Sequence, residues 1–202
     1  MSSSGGRRSA ATPERILDVA EGLLQARGYN GFSYADVAGE LGITRAALHY
    51  HFPGKAELGE ALITRYADRF ATALTALDSA EADAPSALAG YVDLYAQVLH
   101  RQRMCLCGML AAEYLTLPQA MRARVTAFFD DNSAWLQAVL DRGRDEGTLT
   151  FSGAAADSAA MVLGGLEGAM LITRMSGDVA GFRAVAARLL AGLSSSTNEV
   201  PA

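Results

Sequence analysis

Apolar side chains recur every three to four positions along almost the whole of this 202-residue chain. Two-residue alternation is absent and β-branched residues are scattered, so the pattern predicts helices and no sheet. Thr12-Pro13 supplies an N-cap followed by proline at the first helical position. It opens a helix that ends near Gly28, with Ile16, Leu17, Ala20, Leu23 and Leu24 on its apolar face. Ser33 and Asp36 have capping-box spacing and open a short helix, Tyr34 to Leu41, closed by Gly42. Thr44 caps a third helix running to about Phe52, and Pro53-Gly54 breaks the chain. Next comes a long helix, roughly 55–77, whose stripe is Leu58, Leu62, Tyr66, Phe70, Leu74 and Leu77. At 1.5 Å per residue it is about 34 Å long. After a small, acidic connection at 78–84, five amphipathic segments follow near 85–102, 105–116, 118–144, 154–175 and 178–193. The expectation is an all-α chain of nine helices, three short and then six longer. Residues 1–12 form a flexible arm, 13–54 a helix-turn-helix domain, 55–193 a second helical domain and 194–202 a frayed tail.

Composition narrows the function classes. Half the residues are hydrophobic and 19% are charged, a globular profile. Runs without Asp, Glu, Lys or Arg stop at 10 residues, so no membrane span is expected. Met1–Gly6 is small and polar with no apolar segment behind it, which argues against a secretory signal and for a cytoplasmic protein. The net charge of -5 is uneven. Residues 1–55 carry six basic and five acidic side chains, whereas the remainder carries 11 basic and 17 acidic. A chain that coats nucleic acid by bulk charge is excluded, but one whose first third makes placed contacts is not. Sixteen of the 17 basic residues are Arg, and Lys55 is the sole Lys.

Residues 34–53 carry the most specific pattern. Val37, Leu41, Ile43 and Leu48 form a mini-core between two short helices, Ala38 lets them approach, and Gly42 supplies a left-handed turn. The outward residues of the second helix (Thr44, Arg45, Ala47, His49, Tyr50 and His51) are short or hydrogen-bonding, which suits a major groove about 12 Å wide. A generic pair of packed helices accounts for the apolar spacing alone. The capped turn and the polar face favour DNA.

Gly31-Phe32-Ser33, Asp36-Val37-Ala38, Leu41-Gly42-Ile43-Thr44 and Leu48 through Lys55 resemble the N-terminal domain of the TetR family of bacterial transcriptional repressors. The nine-helix count extends the resemblance over the chain. It implies base contacts from Thr44, Arg45 and Ala46 at the start of the third helix, with His49 on the same face. It also implies phosphate contacts from Ser33, Tyr34, Tyr50 and Lys55, in keeping with the free N–H groups at helix starts. Arg7 and Arg8 could reach a minor groove as an arm or play no part.

Family members bind palindromic operators as two-fold dimers. The small-residue patches Gly164-Gly165, Gly168-Ala169 and Ala184–Ala187 suit a homodimer through the last two helices, and they suit internal packing equally. Reading heads in such a dimer stand about 34–36 Å apart, one turn of DNA. The resemblance also places an inducer pocket among the fifth to seventh helices, with Tyr66, Tyr95, Leu99, Cys105, Cys107, Met109, Tyr114, Phe128 and Trp135 as candidates; ordinary core packing is the competing reading.

Cys105 and Cys107 lie about 200° apart on a helix, so no disulfide is expected between them. Their stretch resembles the N-ethylmaleimide-responsive branch of the family, which senses electrophiles through a cysteine here. A helix start with Arg101 and Arg103 nearby is expected to lower a thiol pKa. Two small buried hydrophobes would look the same in sequence. His100, Cys105, Cys107 and Glu113 are poorly spaced for tetrahedral zinc, so neither metal nor cofactor is expected. No nucleophile–base pair, phosphate loop or HExxH is present, which argues against an enzyme. The effector, a small molecule or an electrophile, is not identified by sequence. A constitutive DNA binder is the alternative to a ligand-responsive repressor.

Overall fold

The protein is described from a computed structural model over residues 12–79 and 83–193. The expected arm with Arg7 and Arg8, and the expected tail, lie outside the described residues. Within them the chain forms nine α-helices and no strand: α1 (Pro13–Arg27), α2 (Tyr34–Leu41), α3 (Arg45–His51), α4 (Lys55–Ser79), α5 (Ala84–His100), α6 (Leu106–Ala112), α7 (Gln119–Asp145), α8 (Ala155–Ser176) and α9 (Val179–Ala191).

Local chemistry sets the first three boundaries. Thr12 accepts from the Arg15 amide at 3.4 Å at the start of α1. Ser33 and Asp36 cap α2 reciprocally, with the Ser33 amide donating to the Asp36 carboxylate at 2.7 Å. Gly42 ends α2 at φ 66, where the Ile43 amide reaches the Ala38 carbonyl (3.0 Å) and the Gly42 amide reaches Gly39 (3.2 Å). Thr44 then accepts from the Ala47 amide at 3.2 Å and opens α3. The buried Ile16, Ala20 and Leu24 of α1 share one core with Val37, Leu48 and Phe52.

The remaining helices build a bundle around α7, which packs on α4, α5, α6 and α8. Its centre is filled with rings. Phe70 stands 6.0 Å from Tyr91, 6.0 Å from Tyr95 and 5.3 Å from Phe128, and Tyr91 stacks on Trp135 at 5.4 Å. The polar tips are paired: Tyr91 donates to the buried Asn132 at 3.1 Å, and Asn132 donates to the Phe128 carbonyl at 2.7 Å. The sixth helix departs from expectation. It spans only seven residues, because Cys105 is its N-cap and Glu113 is drawn off toward the head, leaving a 3₁₀ turn at Tyr114–Thr116.

Helix α8 lies where the sequence reading placed it. By length and composition it could cross a membrane, with a mean hydropathy of 1.3 over its most apolar window. It is instead a core helix packed on α7 and α9, with 44% of that window buried.

Candidate nucleic-acid interface and effector core

The head presents two surfaces. Thr44, Arg45 and Ala46 stand exposed at the start of α3, and Tyr50 is 84% exposed one turn later. Beside them a notch of about 410 Å³ is lined by Ser33, Tyr34, Arg45, His49 and Lys55, so five of the eight expected DNA contacts share one concavity.

The rim is braced from within. Tyr34 donates its hydroxyl to the carbonyls of Phe52 (3.0 Å) and Gly54 (2.6 Å), and its ring lies 4.7 Å from that of His49. His49 Nδ1 sits 3.0 Å from the Pro53 carbonyl. Burial lifts the Tyr34 hydroxyl to a pKa of about 12, so it remains a donor. Lys55 is more committed than sequence suggested. Its Nζ donates to the Phe32 carbonyl at 2.5 Å and lies 4.5 Å from the ring centres of both Tyr29 and Phe32. Burial lowers its pKa, against the pull of Glu113 and Asp36. Lys55 therefore fixes the loop before α2 as well as facing the notch.

The head is bolted to the bundle at four places. Glu21 of α1 meets Arg65 at 2.7 Å and Arg69 at 2.5 Å on α4. Gln25 donates to the Met104 carbonyl at 2.9 Å. Glu113, past the end of α6, accepts from the amides of Tyr29 (2.6 Å) and Asn30 (3.3 Å). Arg174 of α8 donates to the Ala26 carbonyl and lies 3.1 Å from the Met109 sulfur. Sequence gave no sign of the last three contacts, which join residues far apart in the chain.

The nine expected pocket residues do not surround one cavity. Tyr66 borders a space of about 220 Å³ with Gln25, Phe70 and Arg103, while Leu99 borders another of about 480 Å³ with His100 and Arg174. Tyr95, Cys105, Cys107 and Phe128 are themselves buried packing. Met109 touches Arg174, Tyr114 is exposed and lies 3.3 Å from the Thr126 hydroxyl, and Trp135 donates to Asp78 at 2.9 Å.

The expected low thiol pKa is overturned. Both cysteines are free, and Cys105 and Cys107 are 1% and 0% exposed. Burial drives both thiols well above the usual range, and the carboxylate of Glu167 pushes them the same way. The Gly108 amide at the start of α6 does favour the Cys105 thiolate, but this is outweighed. Arg101 is exposed, and the Arg103 guanidinium packs against Gly22 of α1. Glu167, which the sequence reading did not single out, is the charged group that acts on both thiols, second to burial. Among the described residues, no cluster of three or more His, Cys, Asp or Glu could hold a metal ion.

A capped helix pair with an open recognition edge, bolted to a larger helical bundle, defines a helix-turn-helix regulator with a separate effector domain. The chain belongs to the tetR family of bacterial regulatory proteins: that family's model matches residues 16–62, and the tetracyclin repressor-like C-terminal domain matches residues 85–189. A TetR-family regulator from Agrobacterium tumefaciens is 33% identical over 91% of this chain and 97% of its own, with a TM-score of 0.87. A TetR regulator from Legionella pneumophila is 30% identical over 92% and 99%, with a TM-score of 0.82. The Escherichia coli transcriptional repressor NemR is 26% identical over 172 residues, covering 82% of this chain and 85% of that protein.

Proposed function

We propose that this protein is a transcriptional repressor that binds a palindromic operator as a homodimer and leaves it when an effector enters the C-terminal bundle. The observation that carries this is the bare start of α3, Thr44-Arg45-Ala46, beside the notch of Ser33, Tyr34, Arg45, His49 and Lys55. Thr44, Arg45 and Ala46 read bases, while the notch and Tyr50 receive phosphates. Dimerisation through α8 and α9 is supported by their exposed apolar side chains: Ile172 is 65% and Val185 48% exposed along a groove containing Gly164, Gly168 and Gly181, and Met175 of α8 is 80% exposed. The protein acts in the cytoplasm, by binding and not by catalysis.

A second reading, release by thiol modification, is favoured by the match to NemR and by the position of Cys105 as the cap of α6. A group added at a 1% exposed thiol would require α6 to open, and α6 leads directly into the Glu113 bolt.

A gel shift against the DNA upstream of the protein's own gene tests both readings, with and without an electrophile, alongside Cys105→Ser and Cys107→Ser. A retarded band whose half-sites are two-fold related is expected; no binding to any upstream palindrome would overturn the repressor reading. Electrophile release that survives in both serine variants would overturn the thiol route. Tyr50→Ala is expected to weaken binding to all sequences alike and to flatten the salt dependence by about one phosphate.

A further inference from the structure

Between α6, α7 and α8 lies a cavity of about 400 Å³ whose walls include Met104, Gly108, Phe129, Leu163 and Leu171, together with Glu167. Glu167 is the only ionisable residue in this wall, and Ser133 is the only other polar side chain. The carboxylate is deliberately accommodated: a Cβ on Gly108 would occupy the space of Glu167 Oε2. Its second oxygen, Oε1, is sealed from solvent and has no hydrogen-bond partner. A buried acceptor left empty is costly, and a carboxylate among apolar walls is costlier still. Cys105 and Tyr95 behind the carboxylate offset part of that cost, but no cation in the wall does.

We infer that this cavity binds an amphipathic amine, its protonated nitrogen donating to the part of the Glu167 carboxylate that lines the cavity and its apolar body lying against Met104, Phe129, Leu163 and Leu171. A protonated amine supplies the missing compensating charge together with a donor to that carboxylate. A neutral ligand of the same shape provides only apolar burial, and an anion is repelled. The volume suits a drug-sized molecule.

The protonation state of the site agrees with this assignment. Burial raises Glu167 to a pKa of about 7, while Cys105 and Tyr95 pull it down. Tyr66, Tyr91 and Cys107 also lie within its electrostatic reach, and among the described residues no Arg, Lys or His contributes to its environment. An arriving cation therefore ionises the carboxyl and expels a proton.

The inference rests on the repressor reading only for the consequence of binding. Glu167 presses on the first turn of α6, and the residue after that helix, Glu113, holds the Tyr29 and Asn30 amides of the head. Seven residues along α8 from Glu167, Arg174 holds the Ala26 carbonyl. Filling the cavity acts on both bolts.

Titration calorimetry on the full-length protein decides the matter. The probes are aryl-alkylamines from 1-naphthylmethylamine upward in size, each paired with its neutral alcohol. The amines are expected to bind at least tenfold more tightly than the alcohols near pH 7, with a heat that changes with buffer ionisation because a proton is released. In Glu167→Gln, an isosteric change, that preference and the proton release are expected to vanish while the thermal transition remains intact. Equal binding of amine and alcohol, no binding of any pair, or an amine preference that persists in Glu167→Gln overturns the inference. A gel shift with the same amines reports separately on the repressor reading: tight amine binding that leaves the DNA complex intact counts against the effector's role in release, not against the site.

Discussion

The head and the bundle are organised on different length scales. In the head, the bonds that set the helix ends join near neighbours, Ser33 to Asp36, Thr44 to Ala47 and Ile43 to Ala38, and the longest, from Tyr34 to Phe52 and Gly54 and from Lys55 to Phe32, stay within one short stretch of chain. In the bundle, and between it and the head, the defining contacts span long separations: Tyr66 to Cys105 and Tyr91 to Asn132 within the bundle, Tyr29 to Glu113 and Ala26 to Arg174 across to the head. A unit fixed by local chemistry keeps one shape wherever it is carried. One fixed by distant contacts can settle into alternative packings. That contrast suits a rigid reader attached to an adjustable sensor.

The largest expected effect tests whether the head is a separate unit. Leu48 is the one buried residue of α3 and is 0% exposed. Leu48→Ala leaves a cavity under a seven-residue helix and should cost about 2–5 kcal/mol. We expect DNA binding to be abolished and the thermal unfolding to split, with most of the far-UV signal retained at the higher transition. A single cooperative transition shifted downward would show that the head and bundle fold as one.

Next in size is a titration belonging to the bundle alone. The folded-state pKa of Glu167 is about 7, above its ordinary value of 4.5. Between those pH values the folded protein holds a proton that the unfolded chain has released, so stability falls as pH rises through the window. The loss is on the order of 3 kcal/mol and is complete above pH 7. Cys105 and Tyr95, which face Glu167, remain neutral throughout this range because burial raises both. Urea melts at pH 5 and pH 8 should therefore differ more for the wild type than for Glu167→Gln. Parallel behaviour of the two proteins would remove the buried charge from the account.

The bolts between the two units come third. Glu113→Gln keeps the shape but weakens two charge-assisted bonds from the Tyr29 and Asn30 amides, at a cost of about 1–2 kcal/mol. Unliganded DNA affinity should fall only a few-fold, while the response to effector should shrink more. If both were unchanged, the coupling would run through the remaining bolts, Glu21 with Arg65 and Arg69, Gln25 with Met104, and Arg174 with Ala26.

These differences explain what the sequence disclosed. Capping residues, Gly42 and the Leu48 spacing are local signals, so the head was legible nearly to the residue, and the other helices were legible in number and order, with the sixth shorter than its pattern. The effector region was misread for one physical reason. Aromatic and sulfur side chains that suggest a pocket are the same ones that fill a core, and Tyr95, Cys107 and Phe128 fill it. The low thiol pKa is what arginines close in sequence suggest, whereas burial decides it, reinforced by Glu167 from a helix sixty residues further on. Only a pattern such as an isolated acid in the apolar run of α8 could have pointed to it, and a solvated surface charge gives the same pattern.

The smallest effect separates backbone conformation from packing within the head. Gly39 and Gly42 are three residues apart, and a Cβ added at either meets nothing within 4 Å. They differ in backbone: Gly39 lies inside α2, while Gly42 sits at φ 66 beyond its end. Gly39→Ala reduces the entropy of the unfolded chain and suits the helix, so it should stabilise the head by about 0.5–1 kcal/mol. Gly42→Ala forces a left-handed conformation on a residue with a side chain and should destabilise it by about 1 kcal/mol. Because neither change touches another atom, their opposite signs would isolate the turn itself as the element that sets the angle between α2 and α3. Chemical melts of the two variants, with operator affinity measured alongside, provide the check. Equal signs would mean that the α2–α3 turn relaxes freely and that the mini-core of Val37 and Leu48 alone holds the reading edge in place.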